Sequence, residues 1–211
     1  MSKNRSPIRR SSAVAVAVTA SFVLAACGAA DDGGAAHGGH AAPSASPSAS
    51  SPATQGQHNA ADVAFAQGMI PHHRQAVEMA DLAPSRAASA EVKELAEAIK
   101  KAQDPEIKTL SGWLTSWGEQ VPPAGAAGHA GHGDGGGMMT ADEMEKLGNA
   151  SGTAFDTAFM ELMIKHHEGA VAMARTERAQ GAFPEAKTMA EAIISSQSAE
   201  IATMNGLLGK D

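Results

Sequence analysis

Two histidine pairs, His72-His73 and His166-His167, each stand between methionines at matching intervals. Phe65, Met69, His72, His73 and Met79 become Phe159, Met163, His166, His167 and Met173 when 94 is added to each number. Imidazole nitrogen combined with thioether sulfur suits copper, the thioether favouring Cu(I) and the imidazole accepting Cu(II) as well. Zinc ordinarily takes Cys, His or carboxylate without Met. A diiron centre in a helical bundle draws on Glu-x-x-His from two helices, and that motif occurs nowhere in the chain. One methionine on an apolar stripe is ordinary core, and one buried histidine is ordinarily a satisfied polar group. The doubled His-Met set is what points to a soft-metal site.

The elements that must position these residues are helical. At 100° per residue, Phe65, Met69, His72, His73, Ala76, Met79 and Ala80 fall within about 120° of one another, the stripe of an amphipathic helix. A second stripe follows from about Ala90 to Trp117: Val92, Leu95, Ala96, Ile99, Gln103, Glu106, Ile107, Leu110, Trp113 and Leu114. Gln103 and Glu106 interrupt it, and Gln197 and Glu200 interrupt the matching stripe of Met189, Ile193, Ile201, Met204 and Leu208. A carboxylate on an apolar stripe is costly unless paired or bound to metal. A purely structural reading pairs His72 and His73 with Gln103 and Glu106, and likewise in the second copy. A metal reading makes the same polar residues supports or further ligands.

The offset of 94 runs without a gap from Asp62/Asp156 to Leu114/Leu208. A unit of this length cannot bury its own apolar face, so two copies must pack together. Short links around Pro84–Ser89 and Ala179–Pro184 make each copy an antiparallel hairpin. A long crossover from Gly118 joins the hairpins. Thr140-Ala-Asp-Glu143 has the capping-box pattern that starts a short helix, with Gly148 expected to end it. The expected fold is all-α, a ferritin-like four-helix bundle of two tandem helical hairpins. Pro71 and Pro105 stand where the second copy has Lys165 and Ala199, and Leu110 where it has Met204. The two metal sites are therefore expected to differ, the first being poorer in sulfur.

Composition agrees with helices: Tyr is absent, and the chain has only 5 Phe and 2 Trp, whereas sheets draw on aromatic and β-branched residues. The single cysteine rules out a disulfide framework and a Cys-based zinc site. A net charge of −7 argues against a nucleic-acid partner. Basic residues Lys3, Arg5, Arg9 and Arg10 precede a short apolar run, Ala13–Ala26, too short for a membrane span. It ends in Leu24-Ala-Ala-Cys27, similar to the lipobox of bacterial lipoproteins. That resemblance implies that Cys27 becomes the lipidated first residue on the extracytoplasmic face of the cell membrane. Residues 28–59 are a Gly/Ala/Ser/Pro tether containing His37, His40 and His58, and residues 118–139 a Gly-rich crossover containing His129 and His132. Residues 1–27 are then the signal, 60–117 the first hairpin, and 140–211 the short helix with the second hairpin.

Met-Ile-Pro-His-His and Met-Ile-Lys-His-His, each followed by Ala-Val-x-Met-Ala and later by Gln-x-x-Glu-Ile, resemble the ferritin-like family catalogued as domain of unknown function 305. The resemblance implies a secreted or lipid-anchored bacterial four-helix protein, some members binding copper through Met and His. Carried over by position, it marks Met69, His72, His73, Met79, Met163, His166, His167 and Met173 as ligand candidates. Gln103, Glu106, Gln197 and Glu200 match its second motif, with Met204 a further sulfur. The expectation is a copper-binding envelope lipoprotein without turnover, its partners being the metal ion, the membrane and a protein that receives copper. A copper-dependent oxidoreductase and a metal-free interaction module are the alternatives. No nucleophile–base set or phosphate loop supports an enzyme.

Overall fold

The computed structural model describes residues 57–125 and 136–210, and over these the chain is five α-helices. The expectations for Cys27, the tether histidines His37 and His40, and the crossover histidines His129 and His132 lie outside the described residues. Helix α1 spans Ala60–Arg86, α2 Ala90–Trp117, α3 Ala141–Asn149, α4 Gly152–Gln180 and α5 Pro184–Leu207.

Each start has a local cause. Asn59 caps α1 by accepting from the Ala61 and Asp62 amides, while Asp62 accepts from the Asn59 amide at 2.6 Å, a capping box that satisfies several orphan donors. The Ser89 hydroxyl accepts from Val92 at the start of α2, and Gly118, at φ +75°, ends that helix in the left-handed conformation that favours glycine. The Thr140–Glu143 capping box starts α3 as expected. Gly148 does not end it: the helix runs on through Asn149, and Ala150 is the cap. The links are also shorter than expected: Ala87–Ser89, because Pro84 stays inside the last turn of α1, and Gly181–Phe183, because α4 runs on through Gln180 and Pro184 opens α5. Losing one donor at Pro84 is tolerated where the flanking turns are packed.

The hairpins α1–α2 and α4–α5 pack through α1 against α4, forming a four-helix bundle with the short α3 alongside. Contacts at both ends show α1 and α4 to be antiparallel. Asn59 donates to the Gln180 carbonyl at one end, where Asp62 accepts from the Ala182 and Phe183 amides at 2.9–3.1 Å. At the other end Asp156, the repeat partner of Asp62, accepts from Ala88 and Ser89 at 3.1 and 2.9 Å. One buried carboxylate from each copy thus ties down the other copy's interhelical link. This reciprocal lacing is what a pseudo-twofold between the hairpins requires.

The core has two apolar clusters. One holds Met79, Ile99, Phe155, Phe159, Met163 and Met204; the other holds Phe65, Met69, Leu110, Leu114, Ala174 and Ile193. Each large side chain fully buried here contributes about 1.5–3 kcal/mol. On α1 and on α4 the histidines fall between residues of the two clusters, so a polar layer divides the core. Trp113 and Trp117 close the second cluster edge-on against Phe183.

Symmetry breaks at Glu177, whose repeat partner is Ala83. Its carboxyl is buried beside Asp62, both lying over Gly181, where any β-carbon would collide with them. Burial pushes Glu177 up to about 8, reinforced by the neighbouring Asp62, so it holds a proton that it can donate to that carboxylate. For Asp62 the burial that would raise it is outweighed by the bonds from Asn59, Glu177, Phe183 and Ala182, which hold it below the usual range.

Candidate metal centre

All four histidines are buried, His73, His166 and His167 completely and His72 to within 2% of its surface. They lie on α1 and α4 because each His-His pair straddles the centre of its stripe, so both rings of a pair turn inward. His72 and His166, related by the repeat, face each other with ring centroids 3.8 Å apart and planes tilted by 44°. Their neighbours turn outward within the bundle. His73 Nε2 donates to Glu106 Oε2 at 2.7 Å, and His167 Nε2 to Glu200 Oε2 at 2.6 Å. Each glutamate comes from the second helix of the same hairpin and keeps about a fifth of its side chain exposed.

These bonds select tautomers. A carboxylate only accepts, so the Nε2 proton belongs to the bond, and in the neutral ring the lone pair of His73 and of His167 sits on Nδ1. His72 Nε2 is 2.7 Å from the Gly136 carbonyl, another pure acceptor, so its lone pair is also on Nδ1. The Nδ1 atoms of all three rings, and both nitrogens of His166, are buried without a partner. A buried donor or acceptor left unsatisfied costs about 1–3 kcal/mol, so a layer containing five such nitrogens is expensive unless something binds there. For the facing pair, His72 and His166, protonation is not the remedy. Burial depresses His72 to about 3 despite the Gly136 bond, and depresses His166 strongly, with the neighbouring imidazoles adding to both. At neutral pH the facing pair offers neutral imidazole lone pairs, the form in which histidine ligates metal.

A model for the Domain of unknown function (DUF305) family matches residues 62–208. The chain belongs to the DUF305 family. A DUF305 protein of Streptomyces coelicolor, described as secreted, superposes with TM-score 0.63 at 31% identity, covering 71% of this chain and 93% of that one. A DUF305 fragment from Deinococcus radiodurans gives TM-score 0.64 at 31% identity, covering 72% and 98%. CopM in its Cu(II)-bound form gives TM-score 0.59 at 37% identity, covering 69% and 94%. CopM has also been solved with Cu(I) and with silver. No curated protein matches the chain.

Within this DUF305 bundle the sulfur atoms group differently from the repeat. Because α1 and α4 are antiparallel, Met69 shares a cluster with Met173 and Met189, while Met79 shares one with Met163, Met160, Met139 and Met204. A β-carbon on Gly68 would lie 3.5 Å from Met173 Sδ, which seats that sulfur directly against α1. The repeat gives one His-Met set per copy, whereas each sulfur-bearing cluster of the bundle takes its methionines from both copies. Leu110 lies with the sulfur-poor group and its repeat partner Met204 with the rich one, so the asymmetry follows the two ends of the bundle.

Gln103 and Gln197 are buried, but neither bonds a histidine, and the Oε1 of each has no partner. The purely structural pairing thus holds for the glutamates and not for the glutamines. Among the described residues no three His, Cys, Asp or Glu side chains are arranged to hold a metal ion. Sequence reasoning missed Gln75 and Gly136, which reach the histidine layer from a helix face and from the crossover. Gln75 sits beside the stripe and is buried, and that burial was the missed signal.

Proposed function

We propose that the chain is an extracytoplasmic copper-binding lipoprotein that buffers copper or hands it to a partner protein. The observation that carries this reading is the layer of five unpartnered imidazole nitrogens set between two methionine-bearing clusters. Neutral imidazole and thioether together are a donor set for Cu(I), with the imidazoles able to take Cu(II). His72, His73, His166 and His167 would supply nitrogen, and Met69, Met79, Met163, Met173 and Met204 sulfur. Glu106 and Glu200 would orient His73 and His167 from outside, the usual work of a carboxylate behind a ligating histidine. Copper and silver binding by CopM supports the metal, and the secreted description of the Streptomyces relative supports the compartment. Leu24-Ala-Ala-Cys27 supports anchoring through lipid, and among the described residues no helix is long and apolar enough to cross a membrane.

The test is a copper titration of metal-free protein followed by its thermal unfolding. A ligand that binds only the folded state stabilises it by about 2.7 kcal/mol at 100 times its dissociation constant. His72→Ala with His73→Ala, or His166→Ala with His167→Ala, should each remove part of that gain, and the four together nearly all of it. Equal melting of wild type and the four-histidine variant across the titration would sink the reading.

A further inference from the structure

The crossover segment Gly136–Met139 lies across the α1–α4 seam at the histidine pair. On α1 it is held twice: His72 Nε2 donates to the Gly136 carbonyl at 2.7 Å, and Gln75 bonds the Met139 backbone with both ends of its amide. Gln75 Nε2 donates to the Met139 carbonyl at 2.9 Å, and the Met139 amide donates to Gln75 Oε1 at 2.6 Å. On α4 it rests on Gly169, where any β-carbon would run into the Gly136 carbonyl; Gly137 sits there at φ +69°, and its own β-carbon would lie 2.5 Å from the Lys165 carbonyl. Gln75 and Gly169 are repeat partners, each three residues beyond the facing histidine of its helix. Because α1 and α4 are antiparallel, these positions lie on opposite sides of the His72–His166 level, so the segment crosses the pair diagonally, from Gly169 on α4 to Gln75 on α1. One copy supplies the amide that grips it and the other the bare backbone on which it lies. Met139, 4% exposed, is at the same time inserted into the sulfur-rich cluster with Met79, Met163 and Met204.

We propose that Gly136–Met139 is a strap over the His72–His166 pair, clamped by Gln75 and seated on Gly169, which fixes His72 as the Nε2–H tautomer and sets how fast a metal ion reaches the pair. The proposal rests on the function argued above and adds to it a positioning residue, Gln75, and a route. Both rings are too buried for a hydrated ion to reach without movement, and helices packed along their length are slow to part. The strap is held by three hydrogen bonds and one buried side chain, so it is the cheapest cover to lift. It also does for His72 what Glu106 and Glu200 do for His73 and His167, directing the lone pair to Nδ1. His166 has no such partner, so the facing histidines are unequal: one has its tautomer fixed and the other is free to adapt.

The experiment compares wild type with Gln75→Leu, Gln75→Glu, Gly137→Ala and Gly169→Ala in the full chain. Gln75→Leu removes the clamp, and Gly169→Ala wedges the strap from the opposite helix without deleting any bonding group. Gly137→Ala forces the strap's own backbone, and Gln75→Glu keeps the acceptor for the Met139 amide while losing the donor. Nitrogen-15 chemical shifts of the His72 ring, read on metal-free protein, report the tautomer; stopped-flow uptake of silver ion reports access. Wild type should show the Nε2–H tautomer. Gln75→Leu and Gly169→Ala should move His72 towards a mixture of tautomers and speed uptake about tenfold or more, the factor that loss of two net hydrogen bonds implies. Gln75→Glu should fall between. If either Gln75→Leu or Gly169→Ala is unfolded, the other and Gly137→Ala decide the matter by the same two readouts. Silver uptake within twofold of wild type, with the His72 tautomer unchanged, overturns the strap. Failure of wild type to bind silver overturns the metal function itself, and is told apart because the tautomer is read without metal.

Discussion

Lowering or raising the pH of metal-free protein should reveal a stability maximum near pH 6.5, set by three buried groups of opposite sense. His72 is depressed to about 3 and His166 well below 6.5 in the folded state. Between those values and 6.5 the unfolded chain binds two protons that the folded chain refuses, so stability falls as pH drops below 6.5. Glu177 works the other way. Its folded value of about 8 lies above the ordinary 4.5, so from 4.5 to 8 the folded chain holds a proton that the unfolded one releases. Stability from that group is complete below 4.5 and is lost as pH rises to 8. Asp62 is lowered from 3.8 and acts only in stronger acid. Each proton of difference gives a slope of about 1.36 kcal/mol per pH unit.

Two unfolded histidines, half-protonated at 6.5 and nearly fully so at 5, work against the one proton of Glu177, so wild type should lose about 1 kcal/mol from pH 6.5 to 5. Above 6.5 only Glu177 remains, with a slope of at most about −1.36 kcal/mol per unit, reduced by whatever water reaches the α4–α5 link. Urea unfolding at a series of pH values, in the presence of a chelator and followed by fluorescence of Trp113 and Trp117, measures this. Glu177→Gln keeps a donor towards Asp62 without the titration. It should abolish the alkaline limb and deepen the acid one to about 3 kcal/mol over the same interval. His166→Phe should instead remove one proton from the acid limb. A monotonic profile from pH 5 to 8 in wild type, or an alkaline limb that survives Glu177→Gln, would refute the reasoning.

Three further outcomes follow from named contacts. Asp156→Ala strands the Ala88 and Ser89 amides and should cost about 2–3 kcal/mol in urea unfolding, the range for hydrogen bonds to a charged group, while leaving copper affinity nearly unchanged. Met79→Leu with Met163→Leu preserves apolar volume, so the metal-free melting temperature should hold within a few degrees. Competition titrations of the same variant should show Cu(I) weakened more than Cu(II). Cys27→Ala should release the protein from the membrane fraction or leave its precursor unprocessed; unchanged processing and retention would contradict lipid anchoring.

The 94-residue repeat and its apolar periodicity were enough, without coordinates, to specify helices, hairpins and a bundle. Both signals are local or quasi-local: a stripe at 3.6-residue spacing has to be covered, and two identical stripes cover each other. Burial of His72, His73, His166 and His167 was legible for the same reason, since each pair straddles its stripe. So was the glutamate behind each second histidine, because Glu106 and Glu200 interrupt an otherwise apolar face.

What the sequence could not determine is which copy each side chain meets. A repeat shows equivalence, not proximity, and the antiparallel crossing of α1 and α4 brings Met69 to Met173 and Met79 to Met163 rather than each to its own copy's partner. The same crossing makes Asp62 serve the α4–α5 link and Asp156 the α1–α2 link, contacts that span more than 60 residues of chain. Gln75 and Gly169 look unrelated in the alignment of the copies, a polar residue opposite a small one. Only the path of the crossover over the seam shows them to be the clamp and the seat of one segment. Periodicity is set by the backbone of each helix alone. Pairing across the bundle is set by how two helices cross, and no residue encodes that by itself.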